Sequence, residues 1–168
     1  EGEEAEGPSE RGLLAQTAEA YSKLREALPE SAALLGPERP GSGEDLFIDG
    51  LDSHELCVGD VFTVDGTGIV LQVSSPRRPC EVWNTVHATC GFLDGTELTG
   101  APPQRRRLHG PALETEGNVR HFALVNTLAG FFFRVLRGGV LTTGAKLTLT
   151  SRPHPSWPLK RLGDLLYG

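Results

Sequence analysis

The chain has 168 residues, of which 38% are hydrophobic and 23% are charged, and this composition is typical of one globular domain. Its formal net charge of −6 disfavours a general nucleic-acid-binding body, because that affinity comes mainly from clustered Lys and Arg. No stretch approaches the ~20 consecutive apolar residues of a membrane-spanning helix. The closest stretch, residues 131–136, is interrupted by Arg134.

The cysteines and the N-terminus indicate a compartment. Cys57, Cys80 and Cys90 are odd in number and include no CxxC pair, so we expect a reducing intracellular compartment rather than a secreted disulfide framework. The chain lacks methionine and opens on an acidic run in residues 1–6. We expect that an N-terminal portion has been lost, and removal of a targeting segment favours the mitochondrial matrix.

The first third of the chain predicts a tail, a helix and strands. Residues 1–13 carry few apolar groups, which predicts a flexible acidic segment before a domain at 14–168. Apolar residues recur every three or four positions over residues 14–28, which predicts a helix that a proline ends. Strands are predicted at residues 46–48, in a short run around Val61 and Thr63, and at 69–74, with a hairpin turn at Asp65 and Gly66 between the last two.

The second half mixes a long loop with further regular elements. Residues 89–117 are rich in Gly, Pro and charge, which predicts an irregular loop. A helix is predicted from Asn118 to Gly130, and a strand follows at 131–136. Beyond it we expect Val140 and Leu141 to pair back, a strand at 146–150, and a last helix from Pro158 with Leu159, Leu162 and Leu166 on its inner side.

Five short motifs follow one another along the chain: GEDL at residues 43–46, VGDVF at 58–62, SPRRPC at 75–80, GFFFRVL at 130–136 and RPHPSW at 152–157. In this order they resemble the motifs of MOSC domains, the molybdenum-cofactor sulfurase C-terminal type. The resemblance covers roughly residues 17–166, apart from the expanded stretch at 89–117.

The resemblance implies a fold, a cofactor and a role. The fold would be mainly β with peripheral helices, a closed barrel like the barrel domain of pyruvate kinase. The cofactor would be molybdenum cofactor (molybdopterin), or the chain would carry sulfur destined for it. The cysteine that matches Cys80 would be the catalytic residue, as a molybdenum ligand or a sulfur-bearing thiol. Some relatives are reductases of N-hydroxylated compounds.

The chemistry of Cys80 agrees with this role. A thiolate is the form that binds a metal or carries a persulfide, and the neighbouring Arg77 and Arg78 would favour the anion by charge attraction. The alternative is a buried cysteine that acts as a small hydrophobic residue. For the other two cysteines we expect core or loop thiols.

Two further residues are candidate cofactor-binding groups. Asp45 stands in the GEDL motif at the position where the family has Asn. Arg134 lies inside an apolar strand, where an unpaired charge is costly, so it must point outward or meet a carboxylate or a cofactor phosphate. The five histidines show no metal-ligand spacing, which predicts no zinc site.

A second hypothesis is a catalytically inactive accessory subunit of a larger protein or ribonucleoprotein assembly, with a mitochondrial assembly as one alternative. It would use residues 1–13 and 89–117 as contact arms, and residues 105–107, three adjacent arginines, are the only part that indicates contact with RNA. It is motivated by departures from the family pattern: Phe131 replaces Trp, and the family's N-terminal "HGG" turn has no counterpart before Leu14. Whether the protein is an enzyme stays open between the two hypotheses.

Overall fold

The fold is known from a computed structural model that describes residues 9–27, 35–36, 39–80 and 119–167. The described elements are, in chain order, β1 (Leu13–Thr17), α1 (Ala18–Ala27), β2 (Leu35–Gly36), β3 (Arg39–Pro40), β4 (Leu46–Ile48), β5 (Val61–Val64), β6 (Val70–Pro76), α2 (Val119–Val125), β7 (Phe131–Arg137), β8 (Leu147–Ser151) and α3 (Leu159–Tyr167). The predicted class, mainly β with peripheral helices, is confirmed.

One curled sheet contains six of these strands in the order β4-β1-β7-β6-β5-β8. Its neighbours pair antiparallel, except for the parallel pair β1 and β4. Within the described ranges β4 and β8 are the two edges of this sheet. None of the described helices is long and apolar enough to cross a membrane.

The main apolar cluster lies on one face of this sheet. Ile69, Leu71 and Val73 are all buried, as the predicted alternation requires. They meet aromatic side chains of the neighbouring strands, and the Phe131 and Phe133 rings pack edge to face with centroids 5.1 Å apart. These rings make β7 the centre of the core.

A second apolar cluster holds the helices together. Tyr21 and Leu24 of α1 are fully buried, together with Leu35 and with Ala123 of α2. The Tyr21 ring stacks on Phe47 with centroids 5.8 Å apart. This second cluster therefore joins α1, α2 and the segment around β4.

The helix predicted at residues 14–28 is wrong in its first turn. Residues 13–17 form β1, and the helix begins only at Ala18. Because β1 lies between β4 and β7, four of its five residues are buried, and a short apolar run of this kind has no period that separates strand from helix. Thr17 marks the true start, since its Oγ1 accepts a hydrogen bond from Ala20 N at 3.1 Å, as an N-cap does.

Two expectations near the C-terminus are also corrected. Val140 and Leu141 form no strand and are 82% and 36% exposed. The reason is the strand order. β8 pairs with β5, and both β5 and β6 lie between β8 and β7, so residues 138–146 are a connection across the sheet and not a hairpin. Leu166 is 56% exposed, and the buried side of α3 consists of Leu159 and Gly163.

The end of α2 meets α3 at a tight contact. Thr127 has a φ of 56°, an uncommon conformation for a β-branched residue. Leu128 N bonds to Ala123 O at 2.8 Å and Thr127 N bonds to Leu124 O at 3.1 Å, which is the pattern of a Schellman cap. A Cβ added to Gly163 would overlap the Thr127 hydroxyl and lie 2.9 Å from its Cγ2.

We therefore predict that Gly163→Ala lowers the free energy of unfolding by about 1–3 kcal/mol through overpacking. Thr127→Gly in the same chain should restore most of the loss, because it removes the obstructing side chain and relieves the positive φ. Urea denaturation measures both effects. Gly138→Ala is the control, since nothing lies within 4 Å of its added Cβ; an equal loss there would contradict the contact.

Candidate functional site

The predicted cysteine lies four residues beyond the end of β6. Pro76 pairs with Phe131 as the last residue of the strand, and Arg77 N then donates to Gly130 O at 2.9 Å. Pro79 is buried, whereas Cys80 is exposed and carries a free thiol. We call residues 77–80 the thiol segment. The prediction that Cys80 lies near a strand end is confirmed, and the alternative of a buried cysteine is wrong.

Two arginine side chains fix this segment from different sides. The Arg77 guanidinium donates to Ser42 O. From α2, Arg120 Nε donates to Pro79 O at 2.9 Å. Both acceptors are backbone carbonyls, so the arginines act on the course of the chain, and the segment is held by protein contacts on both sides of Arg78.

Ser42 is itself held by a buried network, which we call the Ser42 junction: Gln16, Tyr21, Ser42 and Glu44. Ser42 N donates to Tyr21 Oη at 3.0 Å and to Glu44 Oε2 at 3.1 Å, while Tyr21 Oη donates to Glu44 Oε1 at 2.6 Å. Gln16 Nε2 reaches Ser42 Oγ at 3.4 Å and Leu128 O at 3.0 Å. The junction connects α1, β1 and the residues after α2 to the carbonyl that Arg77 uses.

The Tyr21 hydroxyl stays protonated in this setting. Burial, and then its hydrogen bond to the Glu44 carboxylate, raise the pKa of Tyr21 well above its usual value of 10.0. Both causes disfavour the phenolate, because a second anion beside Glu44 would be desolvated and repelled. Tyr21 therefore acts as a donor to Glu44 and an acceptor for Ser42.

The other predicted cofactor-binding residues have different surroundings. Asp45 Oδ2 accepts a hydrogen bond from Leu14 N at 2.8 Å, and Asp45 N donates to Leu14 O at 2.8 Å, so Asp45 ties its loop to β1. Arg134 donates to Gln72 Oε1 at 3.1 Å and forms an ion pair with Glu10. The carboxylate expected for Arg134 is thus present, while Arg78 is exposed on the thiol segment.

Cys57 is a core thiol, as predicted. Only 3% of it is exposed, and burial raises the pKa of the thiol, which keeps it in the neutral form. Cys90 and the arginines at 105–107 lie outside the described residues. Among the described residues, no three His, Cys, Asp or Glu side chains gather as a metal site.

A shallow depression of about 430 Å³ lies away from these residues. Its lining comes from α1 and from the loop after β4: Ala18, Glu19, Ser22, Arg25, Asp49, Gly50, Leu51 and Asp52. None of the predicted site residues contributes to it, and Arg25 donates to Leu35 O at 2.6 Å. The depression therefore shares no lining residue with the thiol segment.

A second polar network connects the C-terminal end of α2 to α1. The His54 ring shares a hydrogen bond with Asn126 O at 2.8 Å through Nε2, and His54 N donates to Asp52 Oδ1 at 2.9 Å. Lys23 Nζ lies 2.9 Å from Asp52 Oδ2. Burial lowers the pKa of His54 below its usual 6.5, more than its bond to Asn126 raises it, so the ring is neutral at physiological pH.

Sequence reasoning missed Arg120, Tyr21 and Ser42 as part of the site. Arg120 shows no pattern that distinguishes it from any helical arginine, and it approaches Pro79 only through the fold. Glu44 had a signal, because it belongs to the GEDL motif. Its role, to accept hydrogen bonds from Tyr21 and Ser42, depends on residues 23 and 2 positions away.

We predict that Tyr21→Phe lowers the free energy of unfolding by about 1–3 kcal/mol, because it removes the donor to Glu44 Oε1 and one of the two acceptors of Ser42 N. Chemical denaturation at pH 7 measures the loss. Tyr167→Phe, in the last turn of α3, is the matched control, and we expect a change within about 0.5 kcal/mol there. Equal effects of the two substitutions would mean that the junction contributes no specific stability.

The His54 network predicts a pH dependence of stability. Because the folded pKa of His54 lies below 6.5, the unfolded chain binds this proton first as the pH falls. The contribution is complete above pH 6.5 and is lost as the pH falls through the folded pKa. His54→Gln should flatten the curve of unfolding free energy against pH below 6.5, whereas His154→Gln, at an exposed position, should not. A curve unchanged by His54→Gln would contradict this assignment.

Comparison with known proteins identifies the family. The model of the MOSC domain matches residues 3–148 of this chain. The chain therefore belongs to the MOSC domain family, which is associated with binding of molybdenum cofactor or with sulfuration. The resemblance to MOSC domains is confirmed.

Two curated relatives match at low identity. A protein named "Reductase" from Gibberella moniliformis is 27% identical over 115 residues, which are 68% of this chain and 16% of that protein. The uncharacterized protein YflK of Bacillus subtilis is 31% identical over 110 residues, 66% of this chain and 37% of that protein. The chain thus spans well under half the length of either.

Solved structures agree with the fold. YiiM from Escherichia coli matches with a TM-score of 0.66 at 22% identity, over 94% of this chain and 62% of that one. YiiM from Geobacillus stearothermophilus matches with a TM-score of 0.64 at 23% identity, over 94% of this chain and 64% of that one. At these identities the likeness concerns the fold, and the curled sheet described above is that of a MOSC-type β-barrel.

Proposed function

We propose that this protein binds molybdenum cofactor, or carries sulfur for it, through the thiol of Cys80. One observation carries the proposal: in a chain of the MOSC family, Cys80 is an exposed free thiol at the end of a segment whose backbone is fixed on both sides. An exposed position is what a metal ligand or a persulfide carrier needs, because the incoming group must reach the sulfur.

The donor set fits a cofactor that brings its own ligands. The described residues hold no cluster of three metal-ligating side chains, so among them Cys80 would offer a single soft ligand. A pterin-bound molybdenum would need one soft protein ligand, and thiolates suit such metals. When bound, the cofactor would supply a redox-active metal centre.

The predicted site residues would then have different roles. Cys80 would hold the metal or the sulfur. Arg78, the exposed arginine of the thiol segment, would pair with an anionic group of the cofactor. Arg77 and Asp45 would act indirectly, because their side chains bind Ser42 O and Leu14 N. Arg134 would contribute only by exchanging Glu10 for a cofactor phosphate.

The name of one relative supports a redox role without defining a reaction. The name "Reductase" belongs to the fungal relative, of which this chain covers 16%. A reductase reaction for this chain is therefore part of the proposal. The binding site for its substrate and its electron donor would belong to other parts of a longer protein or to other proteins. Assembly with partners through residues 1–13 and 89–117, in the mitochondrial matrix, is a separate proposal.

The experiment is to purify the protein from a host that makes molybdenum cofactor and to measure molybdenum, pterin and cyanide-labile sulfur per chain. We expect about one molybdenum or one labile sulfur per wild-type chain, and a roughly 10-fold or greater loss of occupancy in Cys80→Ser, because even the loss of an outer-shell partner typically costs about 10- to 100-fold in metal affinity.

Cys57→Ala is the matched control, because it removes a buried thiol that the proposal does not use. It should retain the wild-type content. Wild-type protein free of metal, pterin and labile sulfur would contradict the proposal and favour the hypothesis of an inactive accessory subunit.

A further inference from the structure

We propose that Arg120 is a positioning residue for Cys80: it holds the peptide that precedes the thiol and brings a positive charge to it from α2. The inference rests on the proposed function, since it concerns the same thiol. It assigns to Arg120 a role that the motif arginine, Arg77, does not have.

A hydrogen bond connects Arg120 to the peptide that precedes Cys80. Arg120 Nε donates to Pro79 O at 2.9 Å, and Pro79 O belongs to the peptide bond that links Pro79 to Cys80. A guanidinium bound to this oxygen restricts rotation of the peptide plane, and the orientation of that plane sets the direction in which the Cys80 side chain leaves the backbone. Pro79 adds a fixed φ on the other side.

Arg77 and Arg120 fix different ends of the thiol segment. Arg77 is tied to Ser42 O through its side chain and to Gly130 O through its backbone, so it fixes the start of the thiol segment against the sheet. Arg120 fixes the end of the segment against a helix. Loss of Arg77 should therefore weaken the Ser42 junction, whereas loss of Arg120 should release the peptide that leads to Cys80.

Arg120 also places a positive charge near Cys80. Because the bound carbonyl and the Cys80 nitrogen share one peptide, the guanidinium lies within about one Debye length of the thiol, ~8 Å at physiological ionic strength. At that distance a positive charge attracts an anion that approaches the sulfur. Arg120 would therefore favour anionic groups at Cys80, and the exposed Arg78 would add to this preference.

The test compares two alkylating reagents on the protein without cofactor. Iodoacetate is an anion and iodoacetamide is neutral, so the ratio of their rates at Cys80, read by peptide mass spectrometry, reports the charge beside the sulfur. We expect Arg120→Met to lower this ratio by roughly two- to fivefold, as the loss of one nearby partly screened charge would. Arg120→Lys, which keeps a cationic donor, should restore most of it.

Arg137→Met is the matched control, because it removes an exposed arginine at the end of β7, and it should leave the ratio unchanged. Thermal unfolding of each variant shows that the fold is intact. A ratio that is the same in Arg120→Met and Arg137→Met, or that Arg120→Lys fails to restore, would overturn the inference. Its failure is distinct from that of the proposed function, which is decided by molybdenum and sulfur content.

Discussion

The hydrogen bond from the Arg77 guanidinium to Ser42 O connects the parts of this protein that matter for its site. One end of the bond belongs to the segment that leaves the central sheet after β6, and the other belongs to the loop before β4. A half-buried charge is costly without a partner, and the Ser42 junction holds Ser42 through its backbone nitrogen and its hydroxyl, which keeps the carbonyl that Arg77 uses in place. Tyr21 and Glu44 supply the holding contacts, which depend on a phenol that stays protonated.

The thiol segment exposes one free thiol, while the residues that lead to it are fixed by contacts with the rest of the described chain. Pro76 and Pro79 are buried and Cys80 is exposed, although only four positions separate the first from the last. The preorganisation comes from contacts with three separate parts of the chain: Ser42, Gly130 and Arg120. A site held by supporting contacts in this way loses little conformational entropy when a ligand arrives.

Much of the fold could be predicted from the sequence, because apolar alternation and turn chemistry are local signals. The strands at residues 69–74 and 131–136 and the hairpin turn at Gly66 are confirmed. The errors have physical causes: β1 is buried on both faces and so lacks a period, and the partner of β8 is β5 because of topology. In the candidate site, Cys80 could be predicted from its motif. Arg120 could not, because its contact with Pro79 joins residues 41 positions apart.

The thiol segment is also linked to both apolar clusters through its hydrogen-bond partners. Through Gly130 it is attached to β7, the centre of the sheet core, and through Arg120 and Ser42 it is attached to the cluster around Tyr21 and Ala123. A molecule that binds the folded thiol and not the unfolded chain stabilises the native state by mass action. Because the segment links the two clusters, that stabilisation is shared by the whole domain, and occupancy is reported by a rise in its melting temperature.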